Sequence, residues 1–342
     1  MPEESVQPRR LLVVRNPTAG RRRVRRYRAV LDALQDLGAE VEIRETAGRG
    51  DAERIAREAD PAAHDALVVA GGDGTVNEAL NGLLSRAEGP APALGLIPLG
   101  TANVLAAELG LPRGAKALAR ILALGAPRRI HPGLTGGRGF SMMVGAGLDA
   151  QVVERVDPVL KRLSGKGAYV WETLSQLVRH RPRRYRVTVG GTSWEVGSVI
   201  VAKGHFYAGR FVCAPAARLD EPILQVCLFP RIGRWHALRY TAAVVLGFVH
   251  HLRDYAVVPA DRVLIDGPEG DPVQGDGDVI ARLPVEVTLA PRGIEVLAGP
   301  TGFPRSSGIP WARFRVARSQ GICPTGSDAT HRGLSTPDRL GP

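Results

Sequence analysis

Apolar residues recur along the first third of the chain in a repeating order. A short β-branched run comes first, then a loop of glycine and small polar residues, then apolar positions three and four apart. Leu11–Val14 is the first such run. It leads through Asn16, Pro17, Thr18, Ala19 and Gly20 to a helical pattern carrying Val24, Tyr27, Val30, Leu31, Leu34 and Leu37, closed by Gly38. Val41 and Ile43 alternate as a second strand ending at Thr46, and Asp51 caps a short helix that stops before Pro61. Ala66–Ala70 predicts a third, buried strand, which breaks into Gly71, Gly72 and Gly74 before a helical pattern resumes at Val76. Leu94–Ile97 is a fourth strand, followed by Pro98–Asn103 and a helix that ends at Gly110 and Pro112. Strands alternating with helices predict an α/β domain built on a parallel sheet, whose ligands sit at the strands' carboxyl ends. The loops Asn16–Gly20, Gly71–Thr75 and Gly100–Asn103 then share one edge.

From about Ile130 the pattern changes. Phe140–Val144 is apolar and ends in Gly145–Ala150, and Ala168–Val178 reads as the last long helix before strands dominate. Arg186–Val189, Trp194–Val201, Ile223–Phe229, Val263–Ile265, Val285–Leu289 and Ile294–Leu297 read as strands divided by Gly, Pro and Asp, with a helix over Trp235–His251. The second half is therefore a mostly antiparallel β domain. The predicted boundaries are the α/β domain over 9–129, a β-rich domain over 130–300, and a disordered Gly/Pro/Ser/Arg-rich tail over 303–342.

The glycines after the third strand point to phosphate. Glycine permits φ above zero and close approach of N–H groups to a ligand, and a helix N-terminus adds partial positive charge. Asp73 would repel a bare phosphate, so it is expected to act through a bound cation or on a hydroxyl. Thr75 with Glu78 also fits a capping box, a purely structural reading. No Gly-x-x-x-x-Gly-Lys-Ser/Thr segment occurs, so the chain is not a P-loop enzyme, and Gly145–Asp149 lacks the third glycine of a dinucleotide fingerprint.

Composition adds one pressure. Among 342 residues, 44% are hydrophobic and 23% charged, as in ordinary globular proteins, but the formal net charge is +11. Arginines cluster at Arg21, Arg22, Arg23, Arg25, Arg26 and Arg28, and again at Arg179, Arg181, Arg183, Arg184 and Arg186. Such runs suit phosphates or an anionic membrane surface. No nucleic-acid module accompanies them, so nucleic acid is not an expected partner. Cys213, Cys227 and Cys323 lack metal-ligand spacing and read as free thiols of a reducing compartment. No signal peptide is visible, and the longest apolar run, Thr241–Val249, is too short to span a bilayer. The expected location is cytoplasmic, peripheral to the inner face of the cytoplasmic membrane. Oligomeric state stays open, a homodimer included.

With these loops assembled, residues 10 to 300 resemble the diacylglycerol kinase family of bacterial lipid kinases, relatives of sphingosine and ceramide kinases. The resemblance rests on Asn16–Gly20, on Gly71-Gly72-Asp73-Gly74-Thr75-Val76-Asn77-Glu78, on Pro98–Asn103, on Gly145–Asp149 and on Val273-Gln274-Gly275-Asp276-Gly277-Asp278. It implies a nucleotide domain like those of NAD kinase and phosphofructokinase, and a C-terminal β-sandwich that holds the lipid. It places ATP on Asn16, Pro17, Thr18, Ala19, Gly20, Thr46, Gly71, Gly72, Asp73, Gly74, Thr75 and Thr101, and assigns Asn77, Glu78, Gly100 and Asn103 to the same site. It makes Asp278 the proton acceptor, with Asp276 as neighbour and glutamate the family's usual residue at the acceptor position. Its structural magnesium would take the carbonyls of Arg218 and Ile223 and the side chain of Glu221, although Glu221 and Pro222 replace the family's Asp and Gly. On residues alone, Asp276 and Asp278 suit a hairpin turn, Asp149 a helix cap, and Asn103 its own turn.

The resulting expectation is an ATP- and magnesium-dependent kinase of a hydroxyl on a diacylglycerol-like or phosphatidylglycerol-like lipid. The alternatives are an NAD kinase-like enzyme of a soluble substrate and a non-catalytic, nucleotide-responsive membrane-binding protein.

Overall fold

The computed structural model describes residues 7–19, 23–87, 89–155, 183–207, 209 and 211–299. Gly20, Arg21, Arg22, the helix expected over 168–178, Arg179, Arg181, Cys323 and the tail over 303–342 lie outside the described residues.

The N-terminal half alternates strand and helix: β1 (Arg10–Arg15), α1 (Val24–Asp36), β2 (Glu40–Glu45), α2 (Asp51–Glu58), β3 (Ala66–Gly71), α3 (Asp73–Leu84), β4 (Ala93–Pro98), α4 (Val104–Glu108) and α5 (Ala115–Leu124). The four strands pair in parallel in the order β2, β1, β3, β4. Side chains along a strand alternate between faces. Leu12, Val14, Leu67, Val69, Leu94 and Leu96 accordingly pack toward Ile55 of α2 and Leu80 and Leu83 of α3. Leu11, Val13, Ala66, Val68 and Ile97 pack on the other side with Val30 and Leu34 of α1 and Leu118 and Leu122 of α5.

This sheet is completed from the far end of the chain. The strand Ile294–Leu297 runs parallel to β4 and antiparallel to Pro127–Ile130, which forms the edge. The boundaries expected at 129 and 300 are therefore corrected: the last strand leaves the β-rich half and returns to the first sheet. Val296 and Leu297 are fully buried there, and that burial rewards the crossing.

Apart from the short antiparallel pair Phe206–Tyr207 and Phe211–Val212, the remaining strands form two six-stranded sheets. One holds Thr192–Val196, Tyr185–Val189, Arg262–Asp266, Val285–Leu289, Gly133–Thr135 and Arg138–Phe140, in that order. The other holds Ala256–Ala260, Leu224–Phe229, Ser198–Ala202, Met143–Ala146, Pro272–Gly275 and Asp278–Arg282. Phe140, Val144, Tyr185, Val201, Val226, Ile265 and Val287 fill the core between them.

The stretch Trp194–Val201, expected as one strand, is two strands in different sheets. The switch falls at Gly197, where an added Cβ would lie 2.8 Å from the Arg231 carbonyl oxygen. The helix expected over Trp235–His251 is also shorter, ending at Val245. Gly247 takes φ +77°, its N–H donates to Val244 O, and the Phe248 N–H donates to Ala243 O at 2.9 Å. Those two bonds form a Schellman stop. The apolar cluster on the α2/α3 face continues through Met142, Met143 and Ile200 to Tyr240, Ala243 and Val244, so one core joins both halves.

Candidate functional site

The three loops at the carboxyl ends of β1, β3 and β4 are tied together. The Asn16 side chain donates to Thr75 Oγ1 at 3.1 Å, and its carbonyl oxygen accepts from the Thr18 N–H and hydroxyl. The Leu99 N–H donates to Gly71 O at 2.9 Å, and the Arg23 guanidinium donates to Gly100 O. Helix α3 starts at Asp73, three residues before the apolar period begins, with Gly72 as its N-cap. Thr75 thus sits inside the first turn and bonds to Asn16, and the capping box suggested by Thr75 and Glu78 does not form.

The glycines serve proximity. Gly71, Gly72 and Gly74 are not among the described residues with positive φ. A Cβ on Gly100 would lie 2.6 Å from Gly72 Cα, and one on Gly71 would lie 2.8 Å from Thr75 Cβ. Gly74 differs: it is exposed, and a Cβ there would meet nothing within 4 Å. It leaves the first turn of α3 uncovered, where N–H groups and the helix dipole favour an anion. Thr101, Pro17 and Thr18 are exposed around this turn, whereas Thr46 is buried with its N–H on Arg15 O.

Asp73 does not present a free carboxylate to a cation. Its oxygens accept the backbone N–H groups of Asn103 at 2.8 Å and Val104 at 2.7 Å, pinning the third loop to the first turn of α3. Asn103, at φ +50°, also holds its own turn through a 2.7 Å bond to Gly100 O. Burial holds the Asp73 carboxyl above the usual range, opposed by those two bonds, while the nearby Asp276 charge raises it further.

Asp276 and Gly277, at φ +50° and +91°, form the two-residue hairpin turn between Pro272–Gly275 and Asp278–Arg282, and Asp278 opens the second strand. Positive φ at both central positions makes it the primed turn that matches strand twist. The two carboxylates have different surroundings. Asp276 accepts from the Ser141, Met142 and Met143 N–H groups at 2.6, 2.9 and 3.0 Å, the Ser141 hydroxyl at 2.9 Å and Asn77 Nδ2 at 3.2 Å. These five bonds hold the turn against Ser141–Met143 and α3. The Asp278 side chain is 48% exposed, and the guanidinium 3.7 Å away belongs to Arg49, ahead of α2.

Further contacts that sequence reasoning did not foresee cross the same seam. Glu108, fully buried in α4, accepts from His205 Nδ1 at 2.7 Å and from the His205 and Phe206 N–H groups. Asn81 of α3 exchanges bonds with the Gly139 backbone, and Arg138 pairs with Glu53 of α2 at 2.7 Å. Gln274 links Asp149 Oδ2, at 3.0 Å, to the Gly277 N–H that its own carbonyl oxygen accepts. Asp149 Oδ1 is buried without a partner, and burial raises this carboxyl to about 6.

The residues the resemblance assigns to a structural magnesium do not fit one. The carbonyls of Arg218 and Ile223 both accept from Lys203 Nζ, and the Glu221 carboxylate turns to Arg218 Nε at 3.0 Å. Of the arginine runs, Arg23 and Arg26 bond to backbone carbonyls, and Arg183 and Arg184 pair with Asp271 and Glu195. Cys213 and Cys227 are free and buried.

Comparison with known proteins agrees with this geometry. The profile described as Diacylglycerol kinase catalytic domain matches residues 10–134, and that of the YegS C-terminal NAD kinase beta sandwich-like domain matches 142–298. The diacylglycerol kinase of Bacillus subtilis is 29% identical over 84% of this chain and 96% of its own length. The "Probable lipid kinase YegS-like" of Pseudomonas fluorescens is 31% identical over 73% of this chain and 85% of its own. A protein of the same description from Chromohalobacter salexigens is 32% identical over 59% of this chain, an alignment that spans 65% of that relative. A crystal structure of a diacylglycerol kinase from Bacillus anthracis shares the fold, with TM-score 0.68 at 24% identity over 86% of this chain and 98% of that one. With two matched domains and a site whose parts fall within them, the chain belongs to the diacylglycerol kinase and YegS-like family of lipid kinases, phosphotransferases whose acceptor is an alcohol group.

Proposed function

We propose that the protein transfers the γ-phosphate of ATP to a hydroxyl of a diacylglycerol-like or phosphatidylglycerol-like lipid at an anionic membrane face. The observation that carries this reading is the division of labour in one turn. Asp276 is spent on five hydrogen bonds, and Asp278, two residues on, is left exposed across the seam from the loop Ala47–Gly50. Phosphoryl transfer asks the protein to position the phosphates, spread their charge and orient the attacking hydroxyl. The uncovered first turn of α3 supplies N–H groups for the phosphates, and Asp278 accepts the proton of the lipid hydroxyl.

Magnesium bound with the nucleotide neutralises phosphate charge. Asp73, the sole carboxylate in the three loops, is already bonded to two N–H groups. No group of three or more His, Cys, Asp and Glu among the described residues could hold a metal. The phosphates would then hold the ion more than a protein cage would, as is common for magnesium.

The membrane reading rests on one surface. Trp235 (82% exposed), Val245, Leu246 (71%) and Phe248 project from the helix Arg234–Val245 and its end, with Phe211 on the strand packed against it. Arg231, Arg234 and Arg253 are exposed on the same segment. Exposed apolar groups rimmed by arginine suit the interface of an anionic leaflet. No helix among the described residues is long and apolar enough to cross a membrane.

The test supplies radiolabelled ATP with vesicles containing diacylglycerol or phosphatidylglycerol, and separately with NAD. Label in lipid supports the reading. Label in NAD alone, or ATP binding without turnover, contradicts it.

A further inference from the structure

Lys203 directly follows the strand Ser198–Ala202, and its side chain is completely buried. Its N–H is anchored on Met142 O at 2.8 Å. Its ammonium donates to three backbone carbonyls of one loop: Arg218 O at 2.9 Å, Glu221 O at 2.5 Å and Ile223 O at 3.0 Å. An ammonium has three N–H donors, and each has an acceptor here. The flanking carboxylates of Asp220 and Glu221 both reach Arg218, which leaves the ammonium as the cation in the centre of the loop.

Two of these carbonyls belong to the set that the family resemblance gives to a structural magnesium. A divalent ion at that point would need near-octahedral oxygens at about 2.0–2.1 Å and would face a fixed positive charge. We propose that Lys203 is a tethered cation in place of the metal. It closes the loop 218–223 so that this chain folds and holds its seam without a structural divalent ion.

The choice of residue supports this. Of 45 Lys and Arg, only Lys116, Lys161, Lys166 and Lys203 are lysine. An arginine fork spreads its donors over a plane, whereas a compact ammonium directs three donors from a single nitrogen. The loop matters to the rest of the molecule. Ala214, Ala217 and Leu219 join the core that spans both halves, Leu219 O accepts the His131 N–H at 2.8 Å, and the Tyr255 hydroxyl donates to Cys213 O at 2.6 Å. Removing the ammonium would leave three inward-facing carbonyls without a partner, which is costly in a buried site.

The experiment follows thermal unfolding without nucleotide or lipid, so it is independent of whether phosphotransfer is read correctly. Wild-type protein dialysed against EDTA is expected to keep its Tm and to carry no stoichiometric divalent metal by elemental analysis. Lys203→Ala is expected to unfold about 5–10 °C lower and to regain part of that on addition of magnesium or calcium, because the cavity now admits a cation. Lys203→Arg is expected to lose stability too, since a planar fork cannot meet three carbonyls from one nitrogen. A wild-type Tm that falls in EDTA, one tightly held divalent ion per chain, or a Lys203→Arg protein as stable as wild type would overturn the proposal. The wild-type measurement decides even if Lys203→Ala does not fold.

Discussion

Asn77 Nδ2 donates to Asp276 Oδ2 across 3.2 Å, joining the second turn of α3 to a hairpin 199 residues later in the chain. The bond locks the turn that displays Asp278 to the helix whose first turn is tied to the loops after β1 and β4. It makes the position of the Asp278 carboxylate a consequence of packing between the two halves.

Asp276→Ala removes the acceptor for three backbone N–H groups, a hydroxyl and an amide. Stranding buried donors costs about 1–3 kcal/mol each at most, with partial relief by water, so a loss of about 3 kcal/mol or more is expected. Chemical denaturation would register it as a lower midpoint. Asp278→Asn, on an exposed side chain, should leave that midpoint where it is.

Gly74→Ala separates ligand from fold. The added methyl meets no protein atom, and alanine favours a helix over glycine by up to about 1 kcal/mol. Stability should hold or rise while the KM for ATP climbs about tenfold or more, because the methyl intrudes on the phosphates. Gly100→Ala should damage both, since its methyl meets Gly72 Cα. Equal ATP affinity in Gly74→Ala and wild type would remove the phosphates from this turn.

The pH dependence of stability carries the mark of Asp149. Its carboxyl rises from an ordinary 3.8 to about 6 in the fold because burial disfavours the charged form. A raised acid favours the folded state when protonated, so the contribution is complete below about pH 4 and is lost as pH climbs through 6. About two units correspond to roughly 3 kcal/mol. Unfolding measured across pH 4 to 7 should show that decline in wild type and a flatter profile in Asp149→Asn. Matching profiles would assign the slope elsewhere.

Membrane attachment is expected to follow the exposed apolar surface. Trp235→Ala combined with Leu246→Ala should weaken binding to anionic vesicles about tenfold or more, given the apolar area withdrawn from the interface. Unfolding temperature should not change. Vesicle co-sedimentation of the double variant at wild-type levels would place the contact on another face.

Much of this architecture was legible in residue order because each strand of the first sheet ends in its own loop, and parallel strands bring those ends to one edge. The Asp73 role was not legible, since a carboxylate among glycines looks the same whether it meets a cation or the N–H groups of Asn103 and Val104. Nor was the Asp276 anchor on Ser141–Met143, 135 residues away at its widest, or the Glu108–His205 pair. Such contacts are set by how two halves pack, and no local period encodes them. Ile294–Leu297 read correctly as a strand, but nothing in four apolar-rich residues says which sheet it joins. Lys203 is one cation among 45 in the sequence, and only its burial and three carbonyls give it meaning.

The most direct measurement of the central claim is single-turnover transfer of labelled phosphate from ATP to vesicle-borne lipid by wild type, Asp278→Asn and Asp278→Glu. Loss of the base should slow Asp278→Asn by about 100- to 10,000-fold with ATP affinity retained, and Asp278→Glu should stay within about tenfold of wild type. Transfer by Asp278→Asn at the wild-type rate would contradict the account.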